Sequence, residues 1–263
     1  MTYSYLTVEK RDKGVTWVTI DHPPVNAIGD DVMEELQQVA DEVENDTDVR
    51  VLVLTSSHPK IFLAGADLKG VMSRDSSTDN EDDPIAMACE TMQRCFNRFA
   101  QMPKPVIAAI NGHALGGGCE LALACDFRLM SAGTIGLTEL SLGIIPGAGG
   151  TQRMTHILGR AKALENILFA KKLTPTEAEV QGLITKAVTN LEEETTLFAE
   201  QLAEGAVFAM GQAKTAINAA ELPMEKGLQE EAQAFSRTFQ SDEPSIGLAA
   251  FFQKETAQFY QGN

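Results

Sequence analysis

The stretch NGHALGGGCELALACDFR, residues 111 to 128, sets three glycines and then a carboxylate inside an otherwise apolar run. Gly116, Gly117 and Gly118 close a strand-like segment and open a helix. Their backbone can therefore approach a neighbour closely and point unsatisfied N–H groups at it. Glu120 comes next among Leu121, Ala122, Leu123 and Ala124, where an ionised carboxyl is costly unless something holds it. Taken alone, the glycines read at least as well as a tight strand-to-helix turn without a ligand. Glu120 alone reads equally as a first-turn glutamate that balances the helix dipole.

Outward from this stretch the chain alternates. GVTWVTID (14 to 21) and VRVLVLT (49 to 55) are short and rich in Val and Thr, as strands are. Between them, Val32, Met33, Leu36, Val39, Ala40 and Val43 recur at helical spacing behind Asp30 or Asp31, either of which can cap the helix. A polar, acidic stretch at 72 to 84 is expected to be a mobile loop. A helix is predicted from about Pro84 to Phe99, a buried strand in PKPVIAAING, another in DFRLMSA, and a long helix capped by Thr151. Beyond about residue 190 the pattern is almost wholly helical. That shift divides the chain into an α/β core, 1–190, and a helical region, 191–263.

Composition narrows the function classes. With 21 Lys and Arg against 37 Asp and Glu, the net charge is −16, which disfavours nucleic acid or an anionic membrane as a general partner. No run is long and apolar enough to span a bilayer, and MTYSYLTVEKRDKG has no apolar signal segment, so a cytoplasmic location is expected. Cys89, Cys95, Cys119 and Cys125 lack CxxC spacing, and no HExxH occurs. Buried thiols and no metal are expected.

Two further segments bear on Glu120. IFLAGADL (61 to 68) is another strand end, continued by Ala-Gly-Ala, with Asp67 placed to cap the next element. Two such turns could each aim one N–H at a single oxygen, the arrangement that stabilises a carbonyl becoming an enolate. TELSLGIIPGAGGTQR (138 to 153) sets a second carboxylate, Glu139, in apolar company. Its glycines do not make a nucleotide loop, because Gln152 stands where GxGxxG needs glycine and no Gly-Lys-Ser/Thr comes after.

These segments, with PPVNAIG (23 to 29) before them and AFFQKETAQF at the end, resemble the enoyl-CoA hydratase (crotonase) family over nearly the whole chain. The resemblance implies an α/β fold of the ClpP/crotonase type, a spiral of ββα units with a C-terminal helical region. It also implies an oxyanion hole made by the N–H groups of Ala64 and Gly117. Members that hydrate double bonds carry two acidic residues at the positions of Glu120 and Glu139. Members that only move the double bond, hydrolyse a thioester or dehalogenate typically change one or both. Having both favours hydration of the 2,3 double bond of an enoyl-CoA, with Glu120 as base toward water and Glu139 as acid toward C2. Two carboxyls close together in apolar surroundings can share one proton near neutral pH. The rival readings are an isomerase or other crotonase-type enzyme, and a non-catalytic assembly or RNA-binding relative.

By the same resemblance the substrate is an acyl-CoA thioester, and coenzyme A enters as part of it rather than as a separate cofactor. Leu63, Ala64, Gly65, Ala66 and Asp67, with Gly116 and Gly117, would border it. Lys254 would face its phosphates, often from a neighbouring subunit, although Glu255 and Thr256 stand where relatives often continue with basic residues. The family assembles trimers, usually paired into hexamers. The aromatic C-terminus of this chain, with Phe235, Phe239, Phe251, Phe252 and Phe259, is expected to serve that assembly.

Overall fold

Alternate residues of the central strands point to two different cores, and this explains why those strands read as unbroken apolar runs. The computed structural model describes residues 3–66 and 83–260. Six strands form one sheet, lying side by side as β1 (Leu6–Lys10), β2 (Val15–Ile20), β4 (Val51–Ser56), β7 (Val106–Ile110), β9 (Phe127–Met130) and β11 (Lys186–Ala187). Only β1 is antiparallel; the other pairings are parallel. Leu52, Leu54, Val106, Ala108 and Ile110 join the larger core cluster. Val51, Val53, Ile107 and Ala109 join a second cluster on the opposite face with Trp17 and Leu129. A parallel sheet covered on both faces requires this pattern.

Each of the strands β2, β4, β7 and β9 leads into a short strand of a second layer and then into a helix. After β2 come β3 (Ala27–Ile28) and the helix Asp30–Asn45; after β7 come β8 (His113–Leu115) and the helix Gly117–Ala124. After β9 come β10 (Ile135–Gly136) and the helix Gly150–Leu168. After β4 come β5 (Ile61–Leu63) and β6 (Gly65–Ala66), with the helix Pro84–Gln101 further on. The short strands pair as a parallel β10-β8-β5 sheet and a parallel β3-β6 ribbon. This is the expected spiral of ββα units. Much of the expected 72 to 84 loop, and Asp67, lie outside the described residues.

Two asparagines fasten successive units. Asn26, 1% exposed and at φ 52°, donates from Nδ2 to the Ile20 carbonyl (3.2 Å), Ser56 Oγ (2.7 Å) and the Phe62 carbonyl (3.3 Å). Its Oδ1 accepts from the His22 amide. One side chain thus joins the ends of β2, β4 and β5. Asn111, one unit on, donates to the carbonyls of Ser56 and His58. Asn tolerates the left-handed conformation that the Asn26 junction needs.

Several expected details are corrected. The helix Asp30–Asn45 is preceded by Gly29, with neither aspartate as its N-cap; Asp31 instead accepts from the adjacent Val32 amide, inside the first turn. Gly149 rather than Thr151 precedes the helix Gly150–Leu168, and Thr151 already lies in its first turn, where its carbonyl accepts from Thr155 Oγ1. That helix is interrupted at Gly159, at φ 75°, a break its periodicity did not announce. The edge strand β1, polar on most of its length, was not anticipated either.

The change in composition near residue 190 does not coincide with a change in packing. The helix Leu191–Ala203 lies across β2, β4, β7 and β9, and its Ala199 and Ala203 complete the second core cluster. Arg50, from the turn before β4, closes its C-terminal end by donating to the carbonyls of Ala203 (2.6 Å) and Gly205 (2.8 Å). Beyond it, the helices Val207–Asn218 and Met224–Thr238 pack on each other. The last helix, Glu243–Gln253, supplies Glu243 as an acceptor for the amides of Phe208 and Ala209. No helix among the described residues is long and apolar enough to cross a membrane.

The close junction between β5 and the helix Gly117–Ala124 is testable. A Cβ on Gly118 would overlap the Leu63 carbonyl and lie 2.7 Å from Leu63 Cβ. Because the obstacle is backbone, Gly118→Ala is expected to cost about 1–3 kcal/mol or more, read as a lowered midpoint in urea denaturation. An unchanged midpoint would show that β5 and this helix are not wedged together.

Candidate active site

The helix Gly117–Ala124 is short and buried along its whole length. It starts only because Gly116, at φ 53° and ψ −124°, turns the chain in a way L-residues rarely allow. Without side chains at 116 to 118, the helix start settles onto the AGA turn: a Cβ on Gly117 would stand 3.2 Å from the Ala66 nitrogen, and one on Gly65 3.5 Å from the Gly117 nitrogen. The two glycine turns therefore meet backbone to backbone.

The clamp expected at Ala64 and Gly117 needs one correction. The Ala64 N–H donates to the Asn26 carbonyl at 3.3 Å, so it belongs to the fold. Gly65, at φ 109°, turns the chain between the two alanines and brings the Ala66 amide beside Gly117 instead. Leu63 is corrected too. It is fully buried, with its side chain against Gly118, and the wall of the cleft starts at Ala64.

That cleft has a volume of about 1790 Å³ and includes Gly65, Ala66, Gly116, Gly117, Glu120 and Glu139 in its wall. It exceeds the roughly 300–1,000 Å³ common for drug-sized ligands. Apolar side chains from three directions line it, among them Met92, Leu142, Ile144 and Ile157. Lys254 is elsewhere, exposed at the end of the last helix and absent from the cleft wall of its own chain.

The two carboxyls share the cleft but have different surroundings. Glu120 is 2% exposed. Its Oε1 accepts from the amides of Ala148 (2.7 Å) and Gly150 (2.8 Å). Burial raises its pKa, and those two amides and the positive charge of Arg153 pull it back. Glu139 opens the short 3₁₀ turn Glu139–Leu142. Its Oε2 is buried, with no hydrogen-bond partner among the described residues. Desolvation first, and the charge of Glu120 second, push its pKa up to about 7. Two amides and a guanidinium thus favour the ionised form of Glu120 against its burial, while Glu139 can hold a proton near neutral pH.

The sequence reading missed the groups that hold Glu120. Ala148 and Gly150 act through backbone N–H, which no side-chain motif reports. The only signal was GAGG itself, a glycine cluster left without a purpose once a nucleotide loop was excluded. Gln93 also bears on this turn, with Nε2 donating to the Gly147 carbonyl at 2.8 Å.

Comparison with known proteins places the chain among relatives of one family. The family model described as enoyl-CoA hydratase/isomerase matches residues 10–262. A probable mitochondrial enoyl-CoA hydratase of Dictyostelium discoideum is 36% identical over 259 residues, 97% of this chain and 90% of that protein. A probable enoyl-CoA hydratase of Bacillus subtilis is 36% identical over 256 residues, 94% of this chain and 96% of that protein. The crystal structure of an enoyl-CoA hydratase from Bacillus anthracis superposes with a TM-score of 0.87 at 35% identity, covering 99% of this chain and 100% of that one.

The surroundings of Glu139 carry a consequence for stability. Its pKa in the folded chain, about 7, lies above the ordinary 4.5, so the folded state binds this proton more tightly than the unfolded state. The contribution is fully present below about pH 4.5 and is lost as pH rises to about 7. Glu139→Gln should therefore gain thermal stability relative to the unmodified chain between pH 5 and 8. A constant difference across that range would contradict the assignment.

Proposed function

The chain belongs to the enoyl-CoA hydratase/isomerase family, and from that premise we propose that it adds water reversibly across the 2,3 double bond of enoyl-CoA thioesters to give 3-hydroxyacyl-CoA. The observation that carries this reading is the pair Glu120 and Glu139 in one cleft wall with the abutting Gly65 and Gly117 turns. A clamp for the thioester oxygen without two acids would suit a double-bond shift; a clamp with two acids of separated proton affinity suits addition of water.

In this reading the thioester oxygen lies at the amides of Ala66 and Gly117, at the start of the helix whose dipole favours negative charge. Water sits between the carboxyls. Glu120, acting in its ionised form, which the two amides favour, takes a proton from the water as the oxygen bonds to C3. The π electrons of the double bond move to C2 and the thioester oxygen, giving an enolate. Glu139 then gives its proton to C2 and the enolate collapses to the thioester. Glu120 ends protonated and Glu139 ionised, and proton exchange restores the pair. Dehydration runs the same steps backwards. No step calls for a redox or metal cofactor.

Assembly belongs to the same proposal. Phe235, Phe251 and Phe252 are 67%, 74% and 78% exposed in the isolated chain, more aromatic surface than a free helical end usually carries. A homotrimer, or two trimers paired as a hexamer, would cover this surface. It would also let Lys254 of one chain approach the coenzyme A phosphates bound to another.

Two measurements test these assignments. Glu120→Gln and Glu139→Gln should each lower crotonyl-CoA hydration by about 10²–10⁴-fold while acyl-CoA binding persists; near-normal turnover by either variant would remove that residue from the mechanism. Phe251→Asp combined with Phe252→Asp should reduce the mass measured by light scattering to that of a smaller species. Retention of the full assembly would place the interface elsewhere.

A further inference from the structure

A continuous set of contacts runs from the helix Pro84–Gln101 to the carboxyl of Glu120. Asn97 Oδ1 accepts from Arg153 Nη2. Arg153 Nη1 donates to the Ala148 carbonyl at 3.0 Å. The Ala148 amide, on the other side of the same residue, donates to Glu120 Oε1. Gly149, between the two amides that hold Glu120, is at φ 102°, and a Cβ there would collide with the Arg153 guanidinium. The guanidinium thus rests directly on the backbone of the turn. It comes from the first turns of the helix Gly150–Leu168, whose first residue supplies the second amide to Glu120.

We propose that Arg153, oriented by Asn97, is a positioning residue that locks the Ala148–Gly150 turn around Glu120 and so decides which of the two acids acts as base. The proposal rests on the hydratase reading for its catalytic meaning, although the tether itself is a matter of geometry. Holding the turn closed keeps two N–H dipoles on Oε1, and the guanidinium adds a positive charge behind them. Both favour the ionised form of Glu120 over that of Glu139.

The charges around this junction point the same way. Glu120 is faced by Glu139 from the 3₁₀ turn, by Cys119 on its own helix and by Arg153. Arg153 is faced by Glu120, Cys125 and Glu221, and Glu221 is already paired with His156 at 2.7 Å. Burial lowers the pKa of Arg153, yet a guanidinium stays charged at any working pH. Arg153 does not figure among the groups that set the pKa of Glu139. Its removal should therefore act directly on Glu120 and reach Glu139 only through the charge of Glu120.

The test titrates the carboxyls of the free protein by ¹³C NMR after glutamate labelling, with Glu120→Gln and Glu139→Gln used only to assign the signals. In Arg153→Met the Glu120 midpoint should rise by about half a unit or more, with the Glu139 midpoint moving less. Arg153→Lys, which keeps the charge but loses the planar fork, should bring the midpoint back most of the way. In crotonyl-CoA hydration, Arg153→Met should lose about tenfold to a hundredfold in kcat with KM within about twofold. The acid limb of its pH profile should move to higher pH. Asn97→Ala should shift the Glu120 midpoint in the same direction by less, and it decides the matter if Arg153→Met fails to fold. An unmoved Glu120 midpoint in a folded variant would overturn the proposal. Absence of hydration by the unmodified enzyme would instead overturn the hydratase reading, and the NMR titration would still settle the role of Arg153.

Discussion

The close approach of two backbones, at Leu63 to Ala66 and at Gly116 to Gly118, is the constraint on which the rest of the site depends. Only glycine allows the start of the helix Gly117–Ala124 to rest against the strand end of the preceding unit. Once it does, the Gly117 and Ala66 nitrogens lie together, and Glu120, one turn into the helix, is carried into the cleft. The same approach fixes the helix against β5 and β8, so the geometry that shapes the cleft wall also serves the core. Asn26 supports it from behind, engaging the Ala64 amide through its carbonyl and the end of β5 through its side chain.

A second theme is the unequal treatment of like residues. Glu120 and Glu139 are both removed from water, and burial is the first cause raising the pKa of each. Backbone amides favour the ionised form of both, those of Ala148 and Gly150 at Glu120 and those of Thr138 and Glu139 itself at Glu139, but only Glu120 also feels the charge of a guanidinium, Arg153. Glu139 keeps a buried oxygen without a partner among the described residues, which costs the fold something and leaves that oxygen free to exchange a proton with a ligand. The difference between the two carboxyls thus lies in the turn at 148 to 150 and in Arg153 rather than in the carboxyls themselves. Helix Pro84–Gln101 reinforces that turn through Gln93 and Asn97, and it reaches the site only because the sheet and the larger core bring the two elements together.

Local pattern and long-range packing contributed differently. The alternation of apolar runs, the glycine clusters and the helical spacing of Val32 to Val43 were enough to specify successive ββα units. Each signal is local, and a buried parallel strand or an amphipathic helix shows it in consecutive residues. The resemblance of the motifs to the enoyl-CoA hydratase family extended that reading to the fold and the activity, and the matching family and superposed structures agree with it. Glu120 and Glu139 stood out because carboxyls in apolar company are rare.

The direction of individual N–H groups was not legible along the chain. Ala64 and Ala66 differ in sequence only by standing on either side of Gly65, yet one amide serves the fold and the other faces Gly117. The placement of the helix Leu191–Ala203 on the sheet likewise depended on which face of β2, β4, β7 and β9 remained uncovered, and no local pattern near residue 190 reports that. The order of residues was sufficient to mark out strands, helices and glycine turns, because those obey short-range periodicity and backbone sterics. Which amide meets which oxygen emerged only when the folded chain brought remote segments together, since it turns on distances of a few tenths of an ångström between them.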